Sequence, residues 1–132
     1  MISENNNNAN DHLYNREIIR LLEDSPHILD LNNLKTLDDS TSEILSKYHG
    51  WEINLNGIEN ISDTAAYNLS KFNGAQLQLN GIKHITEISA LNLSKYRGIL
   101  QLNRLSILPN KVAQNISFFK GEELHLNGLN SL

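Results

Sequence analysis

The chain has 132 residues, a formal net charge of −4 and no cysteine, which suits a single domain. Disulfides, thiolate zinc sites and cysteine nucleophiles are excluded. Lysine and arginine form no evident basic cluster along the sequence, so nucleic acid is not expected as a partner. There is no apolar run of about eighteen residues and no Sec-type export signal. We therefore expect no membrane segment and a cytoplasmic location, while secretion by a signal-independent route stays open.

An asparagine-rich stretch and an amphipathic segment form the first part of the chain. Residues 1–10, with their run of four asparagines, are predicted to be a disordered tail. Residues 11–25 are predicted to form a helix that begins at Asp11 and caps the domain that follows. One face of this helix carries its apolar residues, Tyr14, Ile18, Leu21 and Leu22.

The remainder, residues 26–132, repeats one segment four times and then half of it. The hexapeptides INLNGI, LQLNGI, LQLNRL and LHLNGL begin at residues 53, 77, 100 and 124. The glycines that end the full repeats, Gly50, Gly74, Gly98 and Gly121, are 24, 24 and 23 residues apart. A period of this length predicts an array of similar units that bury a continuous core between them.

Each unit changes its hydrophobic period once, from that of a strand to that of a helix. Ile53 and Leu55 alternate with polar residues, which predicts a short half-buried strand. Ser62 and Asp63 are typical of a helix start, and Gly74 is predicted to end the helix in a left-handed conformation. Stacked units should then align two buried rows, Leu31, Leu55, Leu79, Leu102 and Leu126, and Tyr48, Phe72, Tyr96 and Phe119.

A tandem unit of 23–24 residues that joins an L-x-L strand to a helix resembles the leucine-rich repeat family, in a variant similar to bacterial ones. The resemblance covers residues 28–132. It departs from the usual pattern because asparagine follows the second leucine directly. The resemblance implies an α/β right-handed solenoid with a parallel sheet on one face, short helices on the other and a helix capping the N-terminal end. It also implies a non-enzymatic module that binds a protein partner.

No group of residues predicts catalysis, a cofactor or a metal site. The five histidines fall at different positions of the unit, and none of them pairs with another at helical metal-site spacing. The adjacent acids Asp38 with Asp39 and Glu122 with Glu123 lack a neighbouring base or nucleophile. Glycine-rich nucleotide motifs are absent. We expect no enzymatic activity.

The strand residues between the buried positions should point outward together and form the surface that binds a partner. This predicted face is polar to mildly acidic, and ordinary solvent exposure explains it equally well. It has few of the aromatic or arginine side chains that dominate many interfaces. Its residues are Asp30, Glu52, Asn54, Gln76, Gln78, Ile99, Gln101, Glu123 and His125, with Ile28 and Trp51 beside them.

The final half repeat has a strand and a turn but no helix. Its leucines, Leu124, Leu126, Leu129 and Leu132, are predicted to lack an outer neighbour. Three explanations stay open. The chain is a piece of a longer repeat protein, the edge pairs with a second copy to make a homodimer, or a short exposed edge is tolerated.

One asparagine recurs in every unit, even where the next residue is not glycine. A residue that reads a ligand would vary between units, so we interpret this column as structural, bonded to its own copies or to open backbone groups. The column consists of Asn32, Asn56, Asn80, Asn103 and Asn127.

Overall fold

The computed structural model describes residues 8–129, and their side chains from residue 15 onward. Helices and strands alternate along this range. In chain order they are α1 (Asn8–Asp24), β1 (Ile28–Asp30), α2 (Asp39–Ser46), β2 (Glu52–Asn54), α3 (Asp63–Ser70), β3 (Gln76–Gln78), α4 (Glu87–Leu93), β4 (Ile99–Gln101), α5 (Asn110–Ile116) and β5 (Glu123–His125).

The five strands form one sheet in sequence order, and every neighbouring pair is parallel. Each strand therefore pairs with the equivalent strand of the next unit, and each of the helices α2 to α5 contacts its neighbour in the series. The architecture is α/β, and it is compatible with a solenoid-like repeat.

Side-chain caps start three of the helices at the predicted point in the unit. Ser62 accepts a hydrogen bond from the backbone N–H of Ala65 at 2.9 Å, which confirms the predicted start of α3. Asp38 and Thr86 cap α2 and α4 in the same way. Helix α5 differs because Pro109 occupies its cap position and supplies no side-chain acceptor.

The core lies between the sheet and helices α2 to α5, and it contains the two predicted rows. In the leucine row the first four residues are fully buried, whereas Leu126 is half-buried. In the aromatic row the ring of Phe72 stacks between those of Tyr48 and Tyr96, with centroid distances of 6.0 and 6.2 Å. Burial raises the pKa of Tyr96, whose hydroxyl donates to the carbonyl of Gly74 at 2.8 Å.

The glycines that end the repeats have a different role from the predicted one. Within the described residues no glycine has a positive φ, so the prediction of a left-handed helix end was wrong. A Cβ at Gly74 would instead collide with the ring of Phe72, two residues earlier in the chain. Gly50 is related to Tyr48 in the same way. Glycine is needed at these positions because the row of stacked rings fills the space.

The N-terminal helix begins earlier than predicted. Helix α1 starts at Asn8, so Asp11 lies inside it and does not cap it, and 8–10 are helical instead of belonging to a tail. Residues 1–7 of the predicted tail lie outside the described residues. Helix α1 packs against α2, and Ile18 is completely buried in the common core.

Candidate protein-binding face

Two columns of outward side chains run side by side across the sheet. Ile28, Glu52, Gln76, Ile99 and Glu123 are paired neighbours at the first position of successive strands. Asp30, Asn54, Gln78, Gln101 and His125 occupy the third position in the same register. The residues between the columns point into the core, and from Leu29 to Leu100 they are fully buried. We call these two columns the sheet face.

Most side chains of the sheet face are half-buried, because each lies against its copies in the next units. Gln76 donates through Nε2 to Oε1 of Glu52 at 2.8 Å. At the last strand, Nε2 of His125 lies 2.9 Å from Oε1 of Glu123. Ile99 is half-buried, whereas Ile28 at the opposite side of the sheet is exposed. Some polar side chains of the sheet face are therefore already hydrogen-bonded to one another in the absence of a partner.

The asparagine column forms a ladder of hydrogen bonds along the strand exits. Oδ1 of each asparagine accepts the backbone N–H of the asparagine in the following unit. The distances are 2.9 Å from Asn32 to Asn56 and from Asn56 to Asn80, and 3.0 Å from Asn80 to Asn103 and from Asn103 to Asn127. Of the two bonding modes considered from the sequence, the backbone one occurs here.

The ladder also orients part of the sheet face. Nδ2 of Asn56 donates to Oε1 of Gln78, and Nδ2 of Asn80 donates to Oε1 of Gln101, both at 2.8 Å. With these oxygens engaged, the two glutamine NH₂ groups remain as donors for other groups. At the position before Gln78 in the same column, Oδ1 of Asn54 is buried without a hydrogen-bond partner among the described residues.

An aromatic side chain marks the start of the strands at one margin of the sheet face. Trp51 is 68% exposed, and its only ring contact in the described part of the chain is an edge-on one to His27, with centroids 6.2 Å apart. Exposed tryptophan supplies large contact area to many protein interfaces.

The residues predicted to form a self-association edge lie on and after the last strand, β5. Within the described sheet, β5 has β4 as its single neighbour. Leu124, Leu126 and Leu129 are half-buried. Their equivalents in the preceding unit, Leu100, Leu102 and Leu105, are completely buried. Leu132 lies outside the described residues.

A row of cations was missed when the sequence was read along the chain. Lys47, Lys71 and Lys95 recur with the period of the unit in the segments SKY, SKF and SKY, and the fold brings them to the same end of three adjacent helices. These lysines are 24 residues apart in the sequence, so they form no cluster along the chain, and only the fold brings them to one edge. The repeated SK-aromatic motif was the signal that could have revealed it.

Two kinds of site are not found. Over the described range, histidine and acidic side chains make no group of three or more that could hold a metal ion. No helix in that range is long and apolar enough to cross a bilayer.

Comparison of the chain with family models, curated proteins and solved structures gives no match. The family resemblance thus depends on the repeated residues themselves.

Proposed function

We propose that the chain is a non-enzymatic leucine-rich repeat module, built as a right-handed solenoid, whose sheet face binds a protein partner. The proposal rests on the alternation of buried and outward-facing residues within the strands. In β1 to β4 the middle residue is fully buried in the core, while its two neighbours lie in continuous outward columns that differ in chemistry from unit to unit. Such a surface changes its recognition residues without disturbing its scaffold.

The polar groups left open on the sheet face describe the kind of partner it fits. Asp30, Glu52 and Glu123 give it a mildly acidic character, which favours a basic or neutral surface. The NH₂ groups of Gln78 and Gln101 make no hydrogen bond to a described residue, so they can donate to acceptors on a partner, such as backbone carbonyls. With Trp51 as the one large exposed aromatic at the margin, we expect modest affinity.

The test replaces Glu52, Asn54, Gln78 and Gln101 together by lysine. A matched variant carries the same charge change outside the sheet, with lysine at the exposed positions Glu43, Asn60, Thr64 and Gln114. Partners captured by the unmodified protein should be lost by the first variant and kept by the second, with circular dichroism showing both to be folded. Unchanged capture by a folded first variant would refute the proposal.

A second function, self-association through the β5 edge, is favoured by the incomplete burial of its leucines. A two-fold dimer that joined two β5 strands would bury Leu124, Leu126 and Leu129 and pair the open strand edge. Light scattering should then show a dimer, and Leu126→Lys or Leu129→Glu should convert it to a monomer. A monomer at high protein concentration would exclude this function.

A further inference from the structure

The helix ends opposite the ladder carry a concentrated positive charge in a chain that is acidic overall. Lys47 and Lys71 are the C-terminal caps of α2 and α3, and Lys95 follows the cap of α4. Two residues beyond this position, Arg97 and Lys120 extend the charge into the return towards the sheet. We call these five residues the basic edge.

No ion pair between described side chains neutralises the basic edge, although Glu122 lines one cavity with Arg97 and Glu23 lines another with Lys47. The two ion pairs between described side chains are Lys83 with Glu59 and His125 with Glu123, and neither involves this edge. A hydrogen bond to Lys71, the charge of Lys71 and that of Lys95 lower the pKa of Tyr67, although burial opposes the shift. Lys71 and Lys95 therefore make the potential at the Tyr67 hydroxyl positive.

The acidic residues at the other end of the helices are engaged internally. Asp38 accepts from the backbone of Thr41, and Asp39 accepts the hydroxyl of Ser62 at 2.6 Å. Asp63 accepts the hydroxyls of Thr86 and Ser89. The two edges therefore differ: the acids at one accept hydrogen bonds from nearby backbone and hydroxyl groups, whereas the bases at the other form no ion pair with a described side chain.

Apolar side chains accompany the cations at the basic edge. A groove of about 310 Å³ lies between the last two helices, and Phe118 on its wall is 53% exposed. Its lining residues are Leu91, Ser94, Lys95, Arg97, Phe118 and Lys120. Lysine at a helix C-terminus complements the macrodipole, but that effect explains neither Arg97 and Lys120, which lie beyond the helix ends, nor an exposed phenylalanine.

We propose that the basic edge is a second docking surface and that it binds an acidic peptide segment bearing one bulky apolar residue. The apolar residue enters the groove between Leu91 and Phe118, and flanking carboxylates meet Lys95, Arg97 and Lys120. A peptide fits better than single-stranded nucleic acid, which stacks its bases on several open rings. Here one face of Tyr67 is covered by Lys71, at 4.2 Å from the ring centroid. A groove that admits one side chain also suits a peptide better than a flat bilayer.

The experiment measures fluorescence anisotropy of a labelled peptide that carries one phenylalanine between runs of glutamate. The variant Lys95→Glu with Arg97→Glu should weaken its binding about tenfold or more, and Phe118→Ser about tenfold. The matched control, Arg104→Glu with Lys111→Glu, makes the same charge change at exposed positions away from this edge. That control should change the dissociation constant by less than about twofold.

Peptides with glutamine for glutamate, or with serine for phenylalanine, should bind at least about tenfold more weakly than the parent. Equal weakening by the control pair would overturn the proposal, because it would show attraction by net charge alone. Tighter binding of a single-stranded oligonucleotide, or of phosphatidylserine vesicles, through Lys95 and Arg97 would also overturn it. The sheet-face lysine variant should keep the peptide, so this test is independent of the first one.

Discussion

The two ends of the sheet differ in how well their leucines are shielded. At β1, Leu29 and Leu31 are buried, and Ile18 of α1 lies in the same core. At β5, Leu124 and Leu126 are half-buried and have contacts on one side. Since one unit buries its apolar face only against a neighbour, the first unit depends on a helix whose sequence does not match the repeat. Equivalent residues therefore contribute different amounts to the free energy of unfolding, according to their position in the series of units.

The largest effect is expected from truncating the same position at each end. Leu31→Ala should lower the free energy of unfolding by about 3 kcal/mol, and Leu126→Ala by about 1 kcal/mol, because Leu126 leaves less buried volume empty. Urea denaturation followed by circular dichroism measures both. Equal losses would show that Leu126 is fully covered in solution, and their dependence on protein concentration would then test the self-association alternative.

A second pair adds a methyl group to the turn at an inner and an outer unit. A Cβ at Gly81 would collide with the carbonyl of Asn56, and one at Gly128 with that of Asn103. Gly81→Ala should cost about 2 kcal/mol, since its unit is held on both sides, whereas Gly128→Ala should cost about 1 kcal/mol because the outer unit can shift. Differences in thermal midpoint check the order. A larger loss at Gly128 would contradict the unequal restraint of the two units.

Removing a rung of the ladder should have a smaller effect. Asn80→Leu leaves the N–H of Asn103 without its acceptor and should cost about 1.5 kcal/mol. It also removes the donor to Oε1 of Gln101, so sheet-face binding should weaken without being abolished. Asn127→Leu removes an acceptor that no described residue uses, and it should cost less than about 0.5 kcal/mol. Amide hydrogen exchange at Asn103 provides the site-specific measurement. Unchanged protection there in Asn80→Leu would mean that the side chain is not the acceptor in solution.

The smallest effect concerns acid stability. Hydrogen bonds from Thr86 and Ser89 lower the pKa of Asp63, so its ionised form stabilises the folded state at pH values above the unfolded pKa of about 3.9. That stability is lost as the pH falls through the folded pKa. Asp63→Asn should therefore be less stable than the parent at neutral pH and should lose less on acidification below about pH 4. Glu87→Gln, at the equivalent position beside α5, serves as control because α5 has no side-chain cap.

The sheet register could be predicted from the period of the sequence, because stacking equivalent units places residues 24 or 23 apart beside each other. It also located the capped start at Ser62 and the buried rows. The role of Gly74 could not be predicted, because the obstacle is a ring of the aromatic row whose orientation only packing determines. Lys47, Lys71 and Lys95 were overlooked because charge was read along the chain rather than across units. The sheet face was located by alternation, but its internal hydrogen bonds depend on side-chain rotamers that a sequence does not specify.

The unit that begins after Gly98 is one residue shorter than the others, and the shortening has left the ladder untouched. Its rung from Asn80 to Asn103 measures 3.0 Å, like the rung that follows. Ile99 follows Gly98 directly, and its backbone N–H donates to the carbonyl of Ala75 at 2.8 Å. The missing residue is therefore absorbed in the return from helix to strand. The ladder spacing at the strand exits is thus unchanged, whereas the return from helix to strand tolerates a change of one residue. A recognition loop inserted beside Gly98 would enlarge the molecule without altering the count of its strands.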